Sequence, residues 1–288
     1  MTHSLLGRSR VKKADKEVVP PRHLVDHLLA QGRSVITLHE FAEATGLSLA
    51  SSADAARRLR QNGRIFSPTR GLYVVIPPQY RKWGVVPAAD FIDPFMRAVG
   101  RGYYVGLLSA AELHGAAHQR PQVFQVMVDR PLANRDFGRV HLRFHTQSRL
   151  KHLQAQRFNS TTGQFLVSTP AITALDLASR PSDAGGLGNV ATVLAELVEA
   201  TNVNAEALLK CVEWYPVASL RRLGWLLERA AQDSHLIKGD FEPLASVVAR
   251  SGKFGSRLQT LLDPHGPRRG LLNLKWGLIE NAEVETDL

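Results

Sequence analysis

The chain has 288 residues, with 36 Lys and Arg against 26 Asp and Glu, which gives a formal net charge of +10. Apolar residues make up 44% of it, enough for a sizeable core, and the length suits two domains. The single cysteine, Cys211, excludes an internal disulfide, and no stretch is long and apolar enough to span a membrane. We therefore expect a cytoplasmic protein without a membrane partner.

The excess of positive charge lies towards the N-terminus. Residues 1–82 hold 14 Lys or Arg and 6 Asp or Glu, whereas the remaining residues hold 22 and 20. A basic small domain joined to a nearly neutral larger one is typical of a module that binds a polyanion. The alternative is a solvated basic face without a partner. Residues 1–21 are interpreted as a basic arm that would follow a DNA backbone or enter the minor groove, through Arg8, Arg10, Lys12 and Lys13.

Residues 22–82 have the pattern of three helices followed by two short strands. A proline pair, Pro20-Pro21, starts the first helix. Thr37 and Glu40 form a capping box that starts the second helix, which Gly46 ends. The third helix lies in "ASSADAARRLRQNG", and a hairpin follows in "RIFSPTRGLYVV". This order predicts a winged helix-turn-helix.

The third helix and the hairpin form the predicted DNA-binding surface. In a winged helix-turn-helix the third helix lies in the major groove, where arginines contact phosphates and can read guanine. The open alternative is a winged helix that binds protein, with arginines that only solvate it. The candidate contacts are Ser51, Ser52, Asp54, Arg57, Arg58 and Gln61 on the helix, and Arg64, Thr69 and Arg70 on the hairpin.

Residues 90–288 are interpreted as a larger mixed α/β domain with a small sheet and many helices, so the fold class of the whole chain is α+β. Strands are predicted in "QVFQVMVDR", "RVHLRFHT" and "GQFLVSTP". Ser109 and Glu112 have the spacing of a second capping box, which predicts a helix start at Ser109. Further helices are predicted over "TPAITALDLAS" and over residues 189–200, 204–214, 217–231 and 241–249.

The sequence holds no recognisable catalytic or metal-binding constellation. His114 and His118 have the spacing of two metal ligands on a helix, but a third ligand is missing. A role in ordinary packing is therefore favoured over metal binding. Asp176 is a lone carboxylate in an apolar helix, which indicates a buried polar anchor. No P-loop, dinucleotide fingerprint or GxSxG motif occurs. We therefore expect neither an enzyme nor a cofactor or metal. A nucleic-acid-processing enzyme stays an alternative, because residues distant in sequence can converge.

Several stretches together resemble one known family. They are "RRLRQNGRIFSPTRGLYVV", "YYVGLLSAAELHGAAHQRPQVFQVMV", "VSTPAITALDLA", "YPVASLRRLGWLLE" and "NLKWGLIEN". From the first helix to Asn281 the chain is similar to the AbiEi family, the antitoxins of bicistronic type IV toxin–antitoxin and abortive-infection systems. The most specific stretches are "SAAELHGAAHQ" and "RRLGWLLE".

The resemblance implies a transcriptional autorepressor. Its winged helix would bind inverted repeats in its own promoter, which favours two copies on double-stranded DNA. Its C-terminal domain would supply the antitoxicity against a cognate AbiEii-like toxin that resembles a nucleotidyltransferase. In a type IV system the antitoxin counters the toxin without a stable complex, so the resemblance does not imply a tight heterodimer. Such systems defend bacteria against phage or stabilise mobile elements.

A basic pair, Arg221 and Arg222, lies on an otherwise apolar helix in "VASLRRLGWLLE". One interpretation is a solvated helix edge, because basic pairs are common on amphipathic helices. The other is an antitoxicity surface that contacts the toxin, its substrate RNA or DNA. The pair is therefore the candidate antitoxicity surface of the C-terminal domain.

Overall fold

The computed structural model describes residues 18–116, 121–201, 203–233, 241–250 and 260–285. The chain divides into two compact units, Met1–Gly84 and Val85–Leu288. Most of the predicted basic arm lies outside the described residues, as does His118. No helix in the described ranges is both long enough and apolar enough to cross a membrane. The candidate DNA contacts of the arm, Arg8, Arg10, Lys12 and Lys13, all lie outside the described residues.

The first unit combines three helices with a three-stranded antiparallel sheet of order β1-β3-β2. This is the order of elements of a winged helix-turn-helix fold. Strand β1 was not predicted, because three residues are too few to show an alternating pattern. The elements are α1 (Pro21–Ala30), β1 (Val35–Thr37), α2 (Leu38–Thr45), α3 (Leu49–Gln61), β2 (Ile65–Thr69) and β3 (Leu72–Val75).

Local capping sets the start of α2 and of α3. The Glu40 N–H donates to the Thr37 hydroxyl at 3.2 Å and the Thr37 N–H donates to the Glu40 carboxylate at 2.7 Å, so the predicted capping box is confirmed. Gly46, with φ 68°, ends α2 in the left-handed conformation that glycine adopts without strain. The Ser48 hydroxyl then accepts from the Ser51 N–H at 3.2 Å. A short turn, residues 46–48, therefore separates α2 from α3.

One apolar cluster holds the first unit together. From α3, Ala55, Ala56 and Leu59 pack into it. Because these side chains share one side of the helix, the opposite side of α3 is left to solvent. The other buried members are Val19, Leu24, Val25, Leu28, Ile36, Phe41, Ile65, Tyr73 and Val75.

The second unit is built on a mixed six-stranded sheet of order β6-β7-β5-β4-β9-β8. The pairs β5–β7 and β4–β9 are parallel and the others are antiparallel. The α+β class is confirmed. The sheet has three strands beyond the three predicted, because β4, β6 and β8 are short or polar and carry little alternating signal. The elements are α4 (Ile92–Val99), β4 (Tyr103–Val105), α5 (Leu107–Leu113), β5 (Phe124–Val128), β6 (Arg135–Phe137), β7 (Val140–Thr146), β8 (Ala155–Ser160) and β9 (Gly163–Ser168).

Helices and a small second sheet follow the large sheet. The predicted helix over residues 204–214 is wrong in its second half, since it ends at Leu209 and a 3-10 turn follows. The small sheet has the order β10-β12-β11. The elements are α6 (Pro170–Ser179), α7 (Gly186–Thr201), α8 (Ala205–Leu209), α9 (Val217–Asp233), α10 (Glu242–Arg250), β10 (Thr260–Leu261), β11 (Leu271–Asn273) and β12 (Leu278–Glu280).

The predicted helix start at Ser109 is wrong. Helix α5 begins two residues earlier, with Gly106 at its N-cap. The Ser109 hydroxyl instead donates to the Val123 carbonyl at 3.2 Å and accepts from the Gln125 N–H at 2.9 Å. A tertiary contact with the strand beside it therefore replaces the local cap, although the spacing to Glu112 fits one.

Candidate nucleic-acid interface and a buried polar cluster

The solvent side of α3 carries the candidate DNA contacts. Arg57 has a side chain 67% exposed and forms an exposed ion pair with Asp54 at 3.3 Å. Arg58 and Gln61 are also exposed, and Arg58 has no ion-pair partner among the described residues. The structure adds Ala50 and Arg60 to this side of the helix, both exposed and both absent from the sequence-based set. Ala50 is small enough to let a ligand approach the helix backbone closely.

Ser52 does not belong to this surface. It is 0% exposed, so its prediction as a DNA contact is wrong. The helical period explains the error, because Ser52 precedes Ala55 by three residues and Leu59 by seven, which places it on the core side. Ser51, one residue earlier, is exposed on the first turn of α3.

The hairpin between β2 and β3 places a second group of candidate residues. Arg70 is exposed at its tip and Thr69 is half-buried. The tip is tied to α2, since the Leu38 N–H donates to the Gly71 carbonyl at 2.9 Å. Arg64, at the base of the hairpin, donates to the Asp26 carboxylate on α1 at 2.6 Å. Arg64 thus connects the base of the hairpin to α1, whereas Arg70 is accessible to a ligand.

The arrangement can bind an anionic ligand. Arg58, Arg60 and Arg70 are exposed and form no ion pair with any residue that the structure describes. Helix and hairpin are both fixed by hydrogen bonds, so these guanidinium groups sit on rigid supports. Guanidinium groups are suited to phosphate, which they bind through paired N–H donors.

A polar cluster lies at the centre of the second unit. Asp176 is 1% exposed on α6, so the prediction of a buried anchor is confirmed. Its carboxylate accepts from the Tyr104 hydroxyl at 3.0 Å and from the Tyr215 hydroxyl at 2.8 Å. Burial raises the pKa of Asp176 to about 7, although the two tyrosine hydroxyls and the charge of Arg180 act to lower it. The cluster therefore joins α6 to β4 and to the segment before α9.

We expect Asp176→Asn to flatten the pH dependence of stability. The pKa of Asp176 is raised from 3.8 to about 7, so the folded chain binds this proton more tightly than the unfolded chain. Its contribution to the free energy of unfolding is fully present below about pH 4 and is lost as pH rises to about 7, by up to roughly 4 kcal/mol. Urea unfolding at several pH values between these two limits gives the free energy of unfolding as a function of pH. We expect this free energy to change less steeply with pH in the variant than in the parent protein.

The control for this prediction is Glu206→Gln, which removes an exposed carboxylate. It should leave the pH dependence of the free energy of unfolding almost as in the parent protein. The amide of the Asp176→Asn variant cannot accept from both tyrosines equally, so a uniform loss of stability at every pH is compatible with the prediction. The prediction would be contradicted if the free energy of unfolding changed equally steeply with pH in the parent protein and in Asp176→Asn.

Arg221 and Arg222 are not on a surface. They are 7% and 5% exposed, so the prediction of a solvated helix edge is wrong and the pair offers no exposed antitoxicity surface. Arg222 donates from Nε to the Leu262 carbonyl at 2.6 Å, from Nη1 to the Ala178 carbonyl at 2.7 Å and from Nη2 to the Leu261 carbonyl at 3.1 Å. All three guanidinium nitrogens are thus used within the fold.

Arg221 makes a similar connection to the small sheet. Its Nη1 donates to the Gly277 carbonyl at 3.0 Å and to the Thr260 hydroxyl at 3.1 Å. The two arginines therefore fasten the β10-β12-β11 sheet to α9. The flanking residues Leu220 and Leu223 could have indicated that the arginine pair is buried, because both leucines are themselves buried.

The remaining histidine and cysteine positions form no metal centre in the described ranges. His114 bonds through Nε2 to the Ser168 carbonyl at 2.8 Å, and burial lowers the pKa of its imidazole. No group of three or more His, Cys, Asp or Glu in the described part of the chain is placed to hold a metal ion. A cavity of about 320 Å³ opens beside Thr169, Lys210 and Cys211. The described residues that line it form no recognisable catalytic constellation.

The fold and the two sites define a class of protein: a small unit with an exposed basic helix, followed by a larger α+β unit with a buried polar centre. Residues 104–229 match the family model of the AbiEi antitoxin C-terminal domain. Over these residues the match confirms the resemblance to AbiEi antitoxins, and it supports an antitoxin role. The match contains Asp176, Arg221 and Arg222.

A solved structure shares the fold. The crystal structure of the RV2827C protein from Mycobacterium tuberculosis is 16% identical to this chain, with a TM-score of 0.59. The similarity covers 92% of this chain and 92% of that one, so the likeness extends over both units. No curated protein sequence matches this chain.

Proposed function

We propose that this protein is the antitoxin and autorepressor of a toxin–antitoxin operon. The observation that carries the proposal is the AbiEi antitoxin domain at residues 104–229, preceded by a separate basic unit. In this proposal the first unit binds double-stranded DNA in the protein's own promoter. The second unit counters the toxin. The protein acts in the cytoplasm and needs no catalysis, cofactor or metal of its own.

The proposal for DNA binding rests on α3 and the hairpin. The exposed Arg57, Arg58 and Gln61 lie along one side of α3, which has the width to enter a major groove. In this proposal Arg70, which is exposed at the hairpin tip, contacts a phosphate beside that groove. The four candidate residues of the arm, Arg8, Arg10, Lys12 and Lys13, add sequence-independent affinity in this proposal.

Inverted repeats in the promoter are the proposed target. Each repeat presents the same bases in opposite orientation, so two copies of the first unit would bind one operator. The proposed partner of the second unit is the nucleotidyltransferase-like toxin of the same operon. The antitoxin counters this toxin without the need for a stable complex.

Binding to promoter DNA is the first experiment. The full chain is mixed with about 200 base pairs from upstream of its own gene, against a scrambled competitor, over a series of salt concentrations. We expect tight binding that prefers the promoter and weakens steeply as salt rises. Equal binding of promoter and scrambled DNA would contradict the repressor proposal.

Neutralisation of the toxin needs a separate experiment. The gene is expressed together with its neighbouring gene, and growth is compared with expression of the neighbour alone. We expect the full chain to restore growth. A chain without residues 1–82 should no longer bind DNA yet retain part of the protection. If growth arrest persists with the full chain present, the antitoxin proposal is wrong for this pair of genes.

A further inference from the structure

Strand β11 and the residue after its end present a concentration of exposed leucines. Leu271 is 79% exposed, Leu272 is 48% exposed and Leu274 is 72% exposed. Six large apolar side chains are exposed among the described residues, so half of them fall within four consecutive positions. Single exposed apolar residues are common on proteins, whereas a cluster of them marks an interaction surface.

The same strand forms the edge of the small sheet. It pairs with β12, which has β10 on its other side. No strand in the described ranges lies against the outer edge of β11. The outward N–H and C=O groups of an edge strand are available to another chain, which can add itself as a further strand.

The leucines are exposed on a strand that is held firmly. Trp276, just after them, is fully buried, and its indole N–H donates to the Glu228 carboxylate at 2.6 Å. The Asn273 side chain accepts from the Trp276 N–H at 3.0 Å and donates to the Glu280 carboxylate at 2.8 Å. Because the strand is already ordered, a partner would bind it at a small entropic cost.

Two cations beside the leucines have no acidic partner among the described residues. Residues 264–277 contain Arg268, Arg269 and Lys275 and no Asp or Glu. Lys275 pairs with Glu228 and Glu242. Arg268 and Arg269 are exposed and form no ion pair with any described residue. A partner that covers this surface would therefore be acidic.

We propose that β11, with Arg268 and Arg269, docks an acidic and apolar extended segment of another protein. A second copy of this chain is disfavoured as the occupant, because its own residues 264–277 would offer Arg268 and Arg269 no Asp or Glu. A membrane is disfavoured, because the open main-chain groups of an edge strand are costly in lipid. The inference goes beyond the proposed function and requires neither DNA binding nor neutralisation of the toxin.

The test uses two labelled peptides and the full chain. One peptide alternates Glu and Val, and the other has Lys in place of each Glu. Fluorescence anisotropy should show that the acidic peptide binds at least about 10-fold more tightly than the basic one, since charge complementarity sets the preference. Amide hydrogen exchange should slow at β11 when the acidic peptide is bound.

Variants separate the contributions of charge and apolar contact. Arg268→Glu with Arg269→Glu should reverse the preference between the two peptides. Leu271→Ser with Leu274→Ser should weaken binding of the acidic peptide at least about 10-fold, because the apolar contact is lost. The matched control is Arg157→Glu with Arg250→Glu, which changes the charge equally at exposed positions away from β11. This control should keep the preference for the acidic peptide.

Three outcomes would overturn the proposal. The first is that both peptides bind equally, or that neither shows saturable binding. The second is self-association of the parent protein that the leucine variant abolishes, which would make a second copy the occupant. The third is binding of anionic vesicles or duplex DNA through the same leucines. Thermal melting of each variant establishes that it is folded.

Discussion

Arg222→Ala is expected to lower the free energy of unfolding of the second unit by at least about 3 kcal/mol. Its guanidinium group donates to the buried Leu262 and Ala178 carbonyls and to the half-buried Leu261 carbonyl. Removing it leaves these acceptors without donors, and an unsatisfied buried group costs about 1–3 kcal/mol each. It also removes the hydrogen bonds that join Arg222 on α9 to the Leu261 and Leu262 carbonyls. Chemical unfolding followed by circular dichroism measures the change.

Arg157→Ala is the control, because Arg157 is exposed on β8. Its expected effect is below about 0.5 kcal/mol. Arg222→Lys should recover only part of the loss, because a single ammonium group cannot reach three carbonyls in the geometry of a guanidinium fork. Equal stability of Arg222→Ala and the parent protein would show that Arg222 does not hold the small sheet.

Arg57→Ala with Arg58→Ala is expected to weaken binding to promoter DNA about 100-fold or more. Both side chains are exposed on α3, where they are proposed to contact phosphates or base edges. The slope of log affinity against log salt should fall by about two, since two phosphate contacts are lost. Electrophoretic mobility shift or anisotropy titrations at several salt concentrations measure both quantities.

The matched control removes the same charge elsewhere in the first unit. Arg81→Ala with Lys82→Ala changes two exposed cations that lie outside α3 and the hairpin. It should weaken binding far less than the α3 variant does. A loss of the same size in both variants would mean that net charge, rather than the position of α3, controls binding.

Much of the first unit follows from local signals. The capping box of Thr37 and Glu40 and the left-handed Gly46 act within a few residues of chain. Their effects therefore do not depend on distant packing. The exposure of Arg57 and Arg58 was predictable in the same way, because the buried Ala56 and Leu59 set the opposite side of the helix. Ser52 was mistaken because its residue type, rather than its helical position, guided the assignment.

The second unit was harder to predict because its polar residues are used across long distances in sequence. Ser109 bonds to a neighbouring strand instead of capping a helix. Asp176 meets Tyr104 and Tyr215, which lie 72 and 39 positions away in the sequence. Local spacing carries no information about such partners, so a buried anchor was predictable but its partners were not.

By itself the sequence determined the order of most helices, the α+β class, the concentration of charge in residues 1–82 and the resemblance to AbiEi antitoxins. These depend on composition, on period and on short motifs. Only the tertiary structure decided that Arg221 and Arg222 are buried and that the leucines of β11 are exposed. An arginine is ordinarily solvated and a leucine ordinarily buried, so both assignments run against residue type. They arise because the carbonyls of α6 and β10 meet around Arg222, while the outer edge of β11 has no neighbouring strand in the described part of the fold.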